Sequence, residues 1–180
     1  MKQQSKALTG ILPDDHVSGR LDAPVKLLEY GDYECPYCGQ AYPIVKELQR
    51  KVGDDLCYIF RHFPLRIMHP HAEDAAEAAE ATRSPEQFWE LHDLLFKNQE
   101  HLDELNLLRF GALVGLDPDE LERDLGTHRC YPRVQRDFIS GMRSGVNGTP
   151  TFFINGVRHN GDYQLASLLN AVAAAEQLMA

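Results

Sequence analysis

Two of the four cysteines in this 180-residue chain, Cys35 and Cys38, are separated only by a proline and a tyrosine. An apolar run at 25–30 predicts a buried strand just before them, and the pattern of 42–50 predicts an amphipathic helix just after them. A helix start offers unpaired backbone N–H groups and the positive end of the helix dipole, and both favour a negatively charged sulfur. Because the thiolate is the reactive form of cysteine, this placement predicts a nucleophilic Cys35 with a lowered pKa and a less exposed Cys38 one turn further in.

Thiol–disulfide exchange needs an attacking thiolate, a second thiol that resolves the mixed disulfide, and access for a partner sulfur. We expect Cys35 to be the nucleophile and Cys38 the resolving thiol, because one helical turn brings the two sulfurs within bonding range. The alternatives are two thiols that are close by chance, or half of a zinc site completed by His69 and His71. The His-x-His spacing and the proline-containing helix start differ from common zinc sites, so we predict no metal here.

The order of motifs along the chain resembles a known family. Cys-Pro-Tyr-Cys after a strand, Thr149-Pro150 far downstream and a His-Pro-His-Ala segment between them are similar to the thioredoxin superfamily, and their spacing to its DsbA-type thiol–disulfide oxidoreductases. The resemblance extends over about residues 22–175. It implies an α/β, thioredoxin-like fold with a helical domain inserted in its middle. It also implies disulfide exchange with protein or small-molecule thiols and no cofactor, since the cysteine pair stores the two electrons.

Glu29 lies six residues before Cys35, near the end of the predicted strand. A carboxylate there is expected to be buried, which would raise its pKa and allow it to accept the Cys38 proton. Thioredoxin-like proteins carry a buried acid at this same offset, so the resemblance supports a catalytic role for Glu29. The alternative is a glutamate at a strand edge whose carboxylate lies in solvent.

The resemblance implies two further roles at Thr149-Pro150. The peptide bond is expected to be cis, with Pro150 packed against the active-site cysteines and no N–H donor facing the sulfurs. The backbone of Thr149 is expected to pair with a substrate strand. Typical DsbA proteins have valine at the position of Thr149, and this departure leaves the direction of redox activity open.

Pro36 and Tyr37 occupy the variable positions of the motif, where they tune the helix start and are expected to contact substrate. Glutaredoxins share Pro-Tyr, whereas typical DsbA proteins have Pro-His, so a glutathione-linked reductase is the alternative within the enzyme class. The missing histidine removes a donor near Cys35, and we expect a less oxidising pair than in a periplasmic DsbA. Glu34, directly beside Cys35, is expected to oppose the thiolate in part.

The chain divides into three predicted regions. Residues 1–21 are polar and predict a loosely attached lead-in. Residues 22–66 and 145–180 form the predicted thioredoxin-like domain, in which Asn155-Gly156 predicts a hairpin turn. Residues 67–144 are helical almost throughout and form the predicted insertion, in which acidic side chains outnumber basic ones.

Composition limits the possible partners. A net charge of −9 argues against nucleic acid and against anionic membrane surfaces, which require basic patches. No apolar run approaches the ~20 residues of a membrane span, and the first ten residues lead into no apolar signal core. We therefore expect a cytoplasmic protein, although a chain whose export signal had been removed would look the same. We expect a monomer, with a weak dimer as the alternative.

The other two cysteines are not expected to take part in catalysis. Cys57 lies in a predicted buried strand and is interpreted as a packing residue. Cys130 is expected to be exposed on a helical segment, with a third redox cysteine or an intermolecular link as the alternative. A hypothesis from another class is a non-redox binding or chaperone module that uses the helical insertion as its working surface.

Overall fold

One mixed β-sheet organises the chain, and a computed structural model describes residues 10–178 of it. The strands are β1 His16–Ser18, β2 Val25–Gly31, β3 Leu56–His62, β4 Thr151–Ile154 and β5 Val157–Arg158. The helices are α1 Pro36–Val52, α2 Ala72–Glu80, α3 Pro85–Lys97, α4 Glu104–Leu113, α5 Pro118–Gly126, α6 Tyr131–Arg143 and α7 Leu165–Gln177. A short 3₁₀ turn, Gly53–Asp55, leads from α1 into β3.

The strand order across the sheet is β1-β3-β2-β4-β5. The central strands β2 and β3 run parallel with Val25 opposite Leu56, and α1 makes the crossover between them. β4 and β5 continue the sheet antiparallel, with Leu28 of β2 opposite Phe153 of β4. Helices α2 to α6 all lie in the chain between β3 and β4, so the predicted thioredoxin-like fold with a helical insertion is confirmed.

Both faces of the sheet are covered, as the apolar run of β3 from Leu56 to Phe60 predicts. Alternate β3 residues point to opposite faces. Leu56, Tyr58 and Phe60 belong to the larger core cluster, which also contains α1, α3 and α7 residues. Cys57 and Ile59 belong to a smaller cluster on the other face. Cys57 is fully buried, which agrees with its interpretation as a packing residue.

Side chains cap the starts of two inserted helices. The Ser84 side chain accepts a hydrogen bond from the Gln87 N–H at the start of α3, and Asp117 accepts one from the Glu120 N–H at the start of α5. Phe88 of α3 is fully buried in the larger core cluster. The insertion therefore shares its core with the sheet. Among the described residues, no helix is both long and apolar enough to span a membrane.

The predicted loose attachment of residues 1–21 was wrong for part of that segment. His16–Ser18 forms the edge strand β1, which pairs antiparallel with β3. Just before it, Asp15 accepts hydrogen bonds from the Arg61 guanidinium at 2.7 and 2.9 Å, and both side chains are buried. The pairing and the ion pair fix this segment to the sheet. Residues 1–9 lie outside the described part of the chain.

The predicted exposure of Cys130 was also wrong. It is the N-cap residue of α6, only 9 % exposed, and its side chain belongs to the larger core cluster. Burial raises the pKa of this thiol to about 11, so it is not a reactive thiolate near neutral pH.

The hairpin turn predicted at Asn155-Gly156 is confirmed. Asn155 and Gly156 both have positive φ, which is the backbone conformation that a two-residue hairpin turn requires. They join β4 to β5, and this hairpin forms the edge of the sheet beyond β2.

Candidate active site

The two motif cysteines lie at the start of α1, as the sequence predicts. Cys35 is the N-cap residue, Pro36 occupies the first helical turn, and the Gly39 N–H donates to the Cys35 carbonyl at 3.0 Å. Cys35 is 3 % exposed and Cys38 is fully buried. The helix start therefore presents Cys35 near the surface and holds Cys38 behind it.

The two thiols differ sharply in acidity. The pKa of Cys35 is lowered to about 6, first by a hydrogen bond from the Cys38 thiol and then by donors from Thr149 and the backbone of Cys38 and Tyr37, which together outweigh partial burial. The pKa of Cys38 is raised, first by burial and then by its bond to Cys35 and the nearby charge of Glu29. At neutral pH most Cys35 is thiolate while Cys38 keeps its proton, which is the division of roles that exchange requires.

Glu29 lies beneath the cysteines as a buried carboxylate on β2, only 2 % exposed. The Tyr58 hydroxyl of the neighbouring strand β3 donates to its Oε2 at 2.7 Å. Burial raises the pKa of Glu29 to about 7, partly offset by that hydrogen bond, and the charge of Cys35 raises it further. A carboxyl group with this pKa can both accept and release a proton near neutral pH.

Thr149 and Pro150 face the cysteines from the segment before β4. The peptide bond between them is cis, as the resemblance implies. The Cys35 thiol donates to the Thr149 carbonyl at 3.4 Å. The Thr149 hydroxyl is buried and has no hydrogen-bond partner among the described residues, and it is placed to donate to the Cys35 thiolate. It therefore stabilises the charged form of Cys35 more than the neutral thiol.

One predicted substrate-contacting residue, Tyr37, is exposed to solvent, and a surface pocket lies beside Pro150. The Tyr37 side chain is 60 % exposed at the start of α1. A surface pocket begins at Pro150 and extends along His159 and Tyr163. The Tyr163 hydroxyl donates to Gln40 of α1 at 3.0 Å, which ties this wall of the pocket to the active-site helix.

Asp32, which the sequence analysis did not single out, organises the loop just before Cys35. Its side chain is completely buried. Its Oδ1 accepts hydrogen bonds from the N–H groups of Glu34 at 2.8 Å and Cys35 at 3.2 Å. Its Oδ2 accepts from the Leu65 N–H at 2.8 Å and the His69 Nδ1 at 2.7 Å. This one carboxylate therefore connects the active-site loop to the segment that leads into the insertion.

Two further contacts join the same loop to the insertion. Glu34 accepts a hydrogen bond from the His71 N–H at 2.6 Å. Gln99, which follows α3, donates to the carbonyls of Tyr33 at 2.7 Å and Cys35 at 2.9 Å. A Cβ at Gly39 would collide with the end of the Gln99 side chain, so a larger residue there would displace Gln99 from these carbonyls.

The zinc alternative is not supported by the geometry of its histidines. The His69 ring is bonded to Asp32, and it is the backbone of His71, not its ring, that contacts Glu34. Within residues 10–178, two groups have donor atoms close enough to share a cation, and neither includes a motif cysteine. They are His16 with His62 and Glu80, and Asp74 with Glu77 and His128.

Of the residues that the sequence analysis missed, only Asp32 leaves a local signal. Asp32 begins an Asx turn, because its Oδ1 accepts from the N–H of Glu34 two residues later, and aspartate is common at the start of such turns. The contacts of His69 and Gln99 join residues more than thirty positions apart and leave no periodic pattern.

Comparisons with known proteins agree with this geometry. The family described as Thioredoxin matches residues 12–174. BdbD from Bacillus subtilis superimposes with a TM-score of 0.84 at 22 % identity, covering 91 % of this chain and 93 % of that one. Wolbachia pipientis alpha-DsbA1 gives 0.82 at 23 % identity and 97 % coverage of both chains. A thioredoxin-like oxidoreductase from Silicibacter pomeroyi DSS-3 gives 0.79 at 27 % identity, covering 92 % of this chain and 94 % of that one.

Closer sequence relatives are much longer proteins. Na(+)/H(+) antiporter NhaA 1 of Mycolicibacterium vanbaalenii is 42 % identical over 172 residues, which cover 94 % of this chain and 28 % of the relative. Na(+)/H(+) antiporter NhaA 3 of Salinispora tropica is 46 % identical over 164 residues, covering 91 % of this chain and 25 % of the relative. The chain thus spans about a quarter of the length of these curated relatives.

Proposed function

The chain belongs to the thioredoxin superfamily and to its DsbA-like oxidoreductases, and on this premise we propose that it exchanges disulfides with protein thiols through Cys35 and Cys38. One observation carries the proposal. A thiol with a pKa of about 6 lies at a helix start, directly in front of a second thiol whose pKa is raised. This asymmetry separates an attacking sulfur from a resolving sulfur.

In the oxidising direction, a substrate thiolate attacks the Sγ of Cys35 in the Cys35–Cys38 disulfide. The Cys38 sulfur leaves as a thiolate and takes a proton, which Glu29 is placed to supply. A second substrate thiolate then attacks the substrate sulfur of the mixed disulfide and releases Cys35 as a thiolate. Two electrons pass from the substrate to the cysteine pair, and one disulfide is exchanged for another.

In the reducing direction the same groups act in reverse. The Cys35 thiolate attacks a substrate disulfide and releases one substrate thiolate. Glu29 then accepts the Cys38 proton, and Cys38 attacks the Sγ of Cys35, releasing the second substrate sulfur. Since the Glu29 pKa is about 7, the carboxyl group is available in either protonation state near neutral pH.

An extended protein segment fits the surroundings of the sulfurs. The backbone of Thr149 lies beside the Cys35 thiol, and the exposed Tyr37 ring and the pocket along Pro150 and Tyr163 offer contacts to substrate side chains. A strand laid against Thr149 would gain backbone hydrogen bonds that do not depend on its sequence. These features favour protein thiols over glutathione alone as the substrate class.

Trapping the mixed disulfide tests the proposal. In the Cys38→Ala variant the exchange is expected to stop after the first attack, so that a disulfide-containing peptide stays bound to Cys35 and adds its mass to the protein. The Cys35→Ala variant is the matched control and is expected to trap nothing. Equal trapping by both variants would contradict the roles assigned to the two cysteines. Faster trapping of glutathione disulfide than of the peptide would favour the glutathione-linked alternative.

The cytoplasmic location and the weaker oxidising power relative to a periplasmic DsbA stay predictions. Rapid alkylation of thiols in intact cells tests the first, since a reducing compartment is expected to keep Cys35 and Cys38 largely in the dithiol form. Recovery of the pair mainly as a disulfide would instead indicate an oxidising compartment.

A further inference from the structure

The contact between Asp32 and His69 lies outside the chemistry described so far. Asp32 has a completely buried side chain, and the His69 side chain, 13 % exposed, comes from the segment between β3 and α2. Buried carboxylates need hydrogen-bond donors, and the ring of His69 is the only side-chain donor to Asp32 among the described residues. The other donors are the backbone N–H groups of Glu34, Cys35 and Leu65, which a side-chain substitution does not remove.

Asp32 contacts the nucleophilic residue Cys35 through the backbone N–H of that residue. The Cys35 N–H points to Asp32, where it lies 3.2 Å from both the side-chain Oδ1 and the main-chain carbonyl. This N–H is one of the free donors at the start of α1. Because the Cys35 N–H is bonded to Asp32, the Cys35 thiolate is stabilised by the other donors, which come from Cys38, Tyr37 and Thr149. The position of Cys35 relative to those donors therefore depends on where Asp32 is held.

We propose that His69 is a positioning residue that sets the reactivity of Cys35 by holding the Asp32 carboxylate in place. The imidazole N–H fixes Oδ2, which leaves Oδ1 directed at the N–H groups of Glu34 and Cys35. It also draws the carboxylate charge towards the insertion and away from the sulfur. Both effects favour the thiolate over the thiol. The proposal rests on the function proposed above and assigns to the insertion a direct influence on the active-site couple.

Loss of the His69 imidazole is expected to destabilise the Cys35 thiolate. Without it, Oδ2 of Asp32 keeps only the Leu65 N–H, the loop before α1 loses one attachment to the insertion, and more of the carboxylate charge acts on Cys35. The thiolate is then less stable, while the uncharged disulfide is unaffected by the charge. The pair is therefore expected to become harder to reduce, and the Cys35 pKa to rise.

Three variants of the full chain test the proposal. His69→Ala removes the donor. His69→Asn keeps an N–H donor close to the position of the histidine Nδ1. His71→Ala is the matched control, because it removes an imidazole from the same segment but leaves the backbone bond to Glu34. The measurements are the Cys35 pKa, from the thiolate absorbance during a pH titration, the equilibrium constant with glutathione, and the melting temperature of each variant.

His69→Ala is expected to shift the glutathione equilibrium by about threefold to tenfold towards the Cys35–Cys38 disulfide, with a higher Cys35 pKa, since hydrogen bonds to charged groups are among the stronger ones. His69→Asn should restore most of the wild-type values, and His71→Ala should match wild type. A lower melting temperature with unchanged pKa and equilibrium constant in His69→Ala would overturn the proposal and leave a purely structural role. Failure of His69→Asn to restore the values would overturn it as well.

Failure of the proposal can be told apart from failure of the proposed function. If the wild-type pair forms no disulfide in any glutathione buffer, the proposed function fails, yet the Cys35 pKa can still be compared between variants. If wild type exchanges disulfides normally and His69→Ala does the same with an unchanged pKa, only the present inference fails.

Discussion

Two buried carboxylates, Glu29 and Asp32, lie close to the cysteine pair, and their surroundings suit them to different tasks. Glu29, on the floor of the site, accepts a hydrogen bond from the Tyr58 hydroxyl in otherwise apolar surroundings, and burial raises its pKa to about 7. Asp32, on the rim, accepts from three backbone N–H groups and from His69. The first can exchange a proton, whereas the second is a fixed acceptor that organises a loop.

The difference follows the architecture of the chain. The floor comes from β2 and β3, which pair directly in the sheet. The rim lies where the active-site loop contacts the segment before α2 and the residues after α3. The contacting residues are His69, His71 and Gln99. The proton transfer proposed for Glu29 would thus use residues of the sheet, whereas the hydrogen bonds that hold the active-site loop come from the segments on either side of α2 and α3. Single substitutions can measure the effects of the two regions on disulfide exchange separately, once the need for the cysteines themselves has been tested.

The largest effect is expected from Cys35→Ser, because both regions act through this sulfur. Disulfide exchange should fall by a factor of about a thousand or more, since a hydroxyl cannot form the mixed disulfide. The measurement is the rate of reduction or oxidation of a model peptide. Cys57→Ala, which removes a thiol from the opposite face of the sheet, should keep the wild-type rate. Retained activity in Cys35→Ser would support the binding-module hypothesis instead.

Glu29→Gln tests the floor alone. Without a proton acceptor, resolution of the mixed disulfide by Cys38 should slow by roughly 10²-fold at pH 7, the low end of the usual effect of one acid–base group. Glu47→Gln, the same exchange on the exposed side of α1, should leave the step within about twofold of wild type. Rapid-quench analysis of the mixed disulfide measures the rate. Equal slowing by both variants would remove the special role of Glu29.

The same carboxyl group should affect stability with a definite sign. Its folded pKa of about 7 lies above the ordinary glutamate value of 4.5, so the folded protein binds this proton more tightly than the unfolded chain does. The resulting stabilisation is fully present below the unfolded pKa and is lost as the pH rises through about 7. Between pH 5 and 8, wild type should therefore lose about 2–3 kcal/mol relative to Glu29→Gln.

Denaturant unfolding of the oxidised protein measures this difference without titration of the active-site thiols. Parallel stability curves for wild type and Glu29→Gln over that pH range would mean that Glu29 titrates normally and is not the buried acid described above.

A smaller effect is expected from Thr149→Val, which keeps the side-chain shape and removes the buried hydroxyl. The Cys35 pKa should rise by roughly half a unit to one unit, the equivalent of one hydrogen bond of about 1 kcal/mol. Thr151→Val is the matched control, because its hydroxyl donates to the Gly148 carbonyl instead of the sulfur. Thiolate absorbance during a pH titration measures both. An unchanged pKa in Thr149→Val would show that the hydroxyl does not stabilise the thiolate.

The sequence predicted the floor of the site far better than its rim. A strand followed by a Cys-Pro-Tyr-Cys helix start places Cys35, Cys38 and Glu29 by local geometry alone, since all three lie within ten residues. The cis bond at Pro150 came from the family resemblance. The contact of Asp32 with His69 forms only when the segment before α2 packs against the active-site loop. No periodic pattern in the sequence predicts that packing.

Two errors in the sequence analysis have similar causes. The strand His16–Ser18 is only three residues long and partly polar, so its pairing with β3 shows no alternation that could be recognised. Cys130 is buried because α6 packs against its neighbours in the insertion, and its own short, polar surroundings give no sign of that burial. Local pattern predicts elements, but tertiary packing decides which residues between them are covered.

The most direct test of the account is the equilibrium of the Cys35–Cys38 pair in a series of glutathione buffers, in a chain carrying Cys57→Ala and Cys130→Ala. We expect one two-electron transition between the dithiol and the intramolecular disulfide, with no third species at the midpoint. Its position would also give the favoured direction of exchange. A chain that stays reduced in every buffer, or that collects only glutathione on Cys35, would contradict the assignment of Cys38 as the resolving thiol.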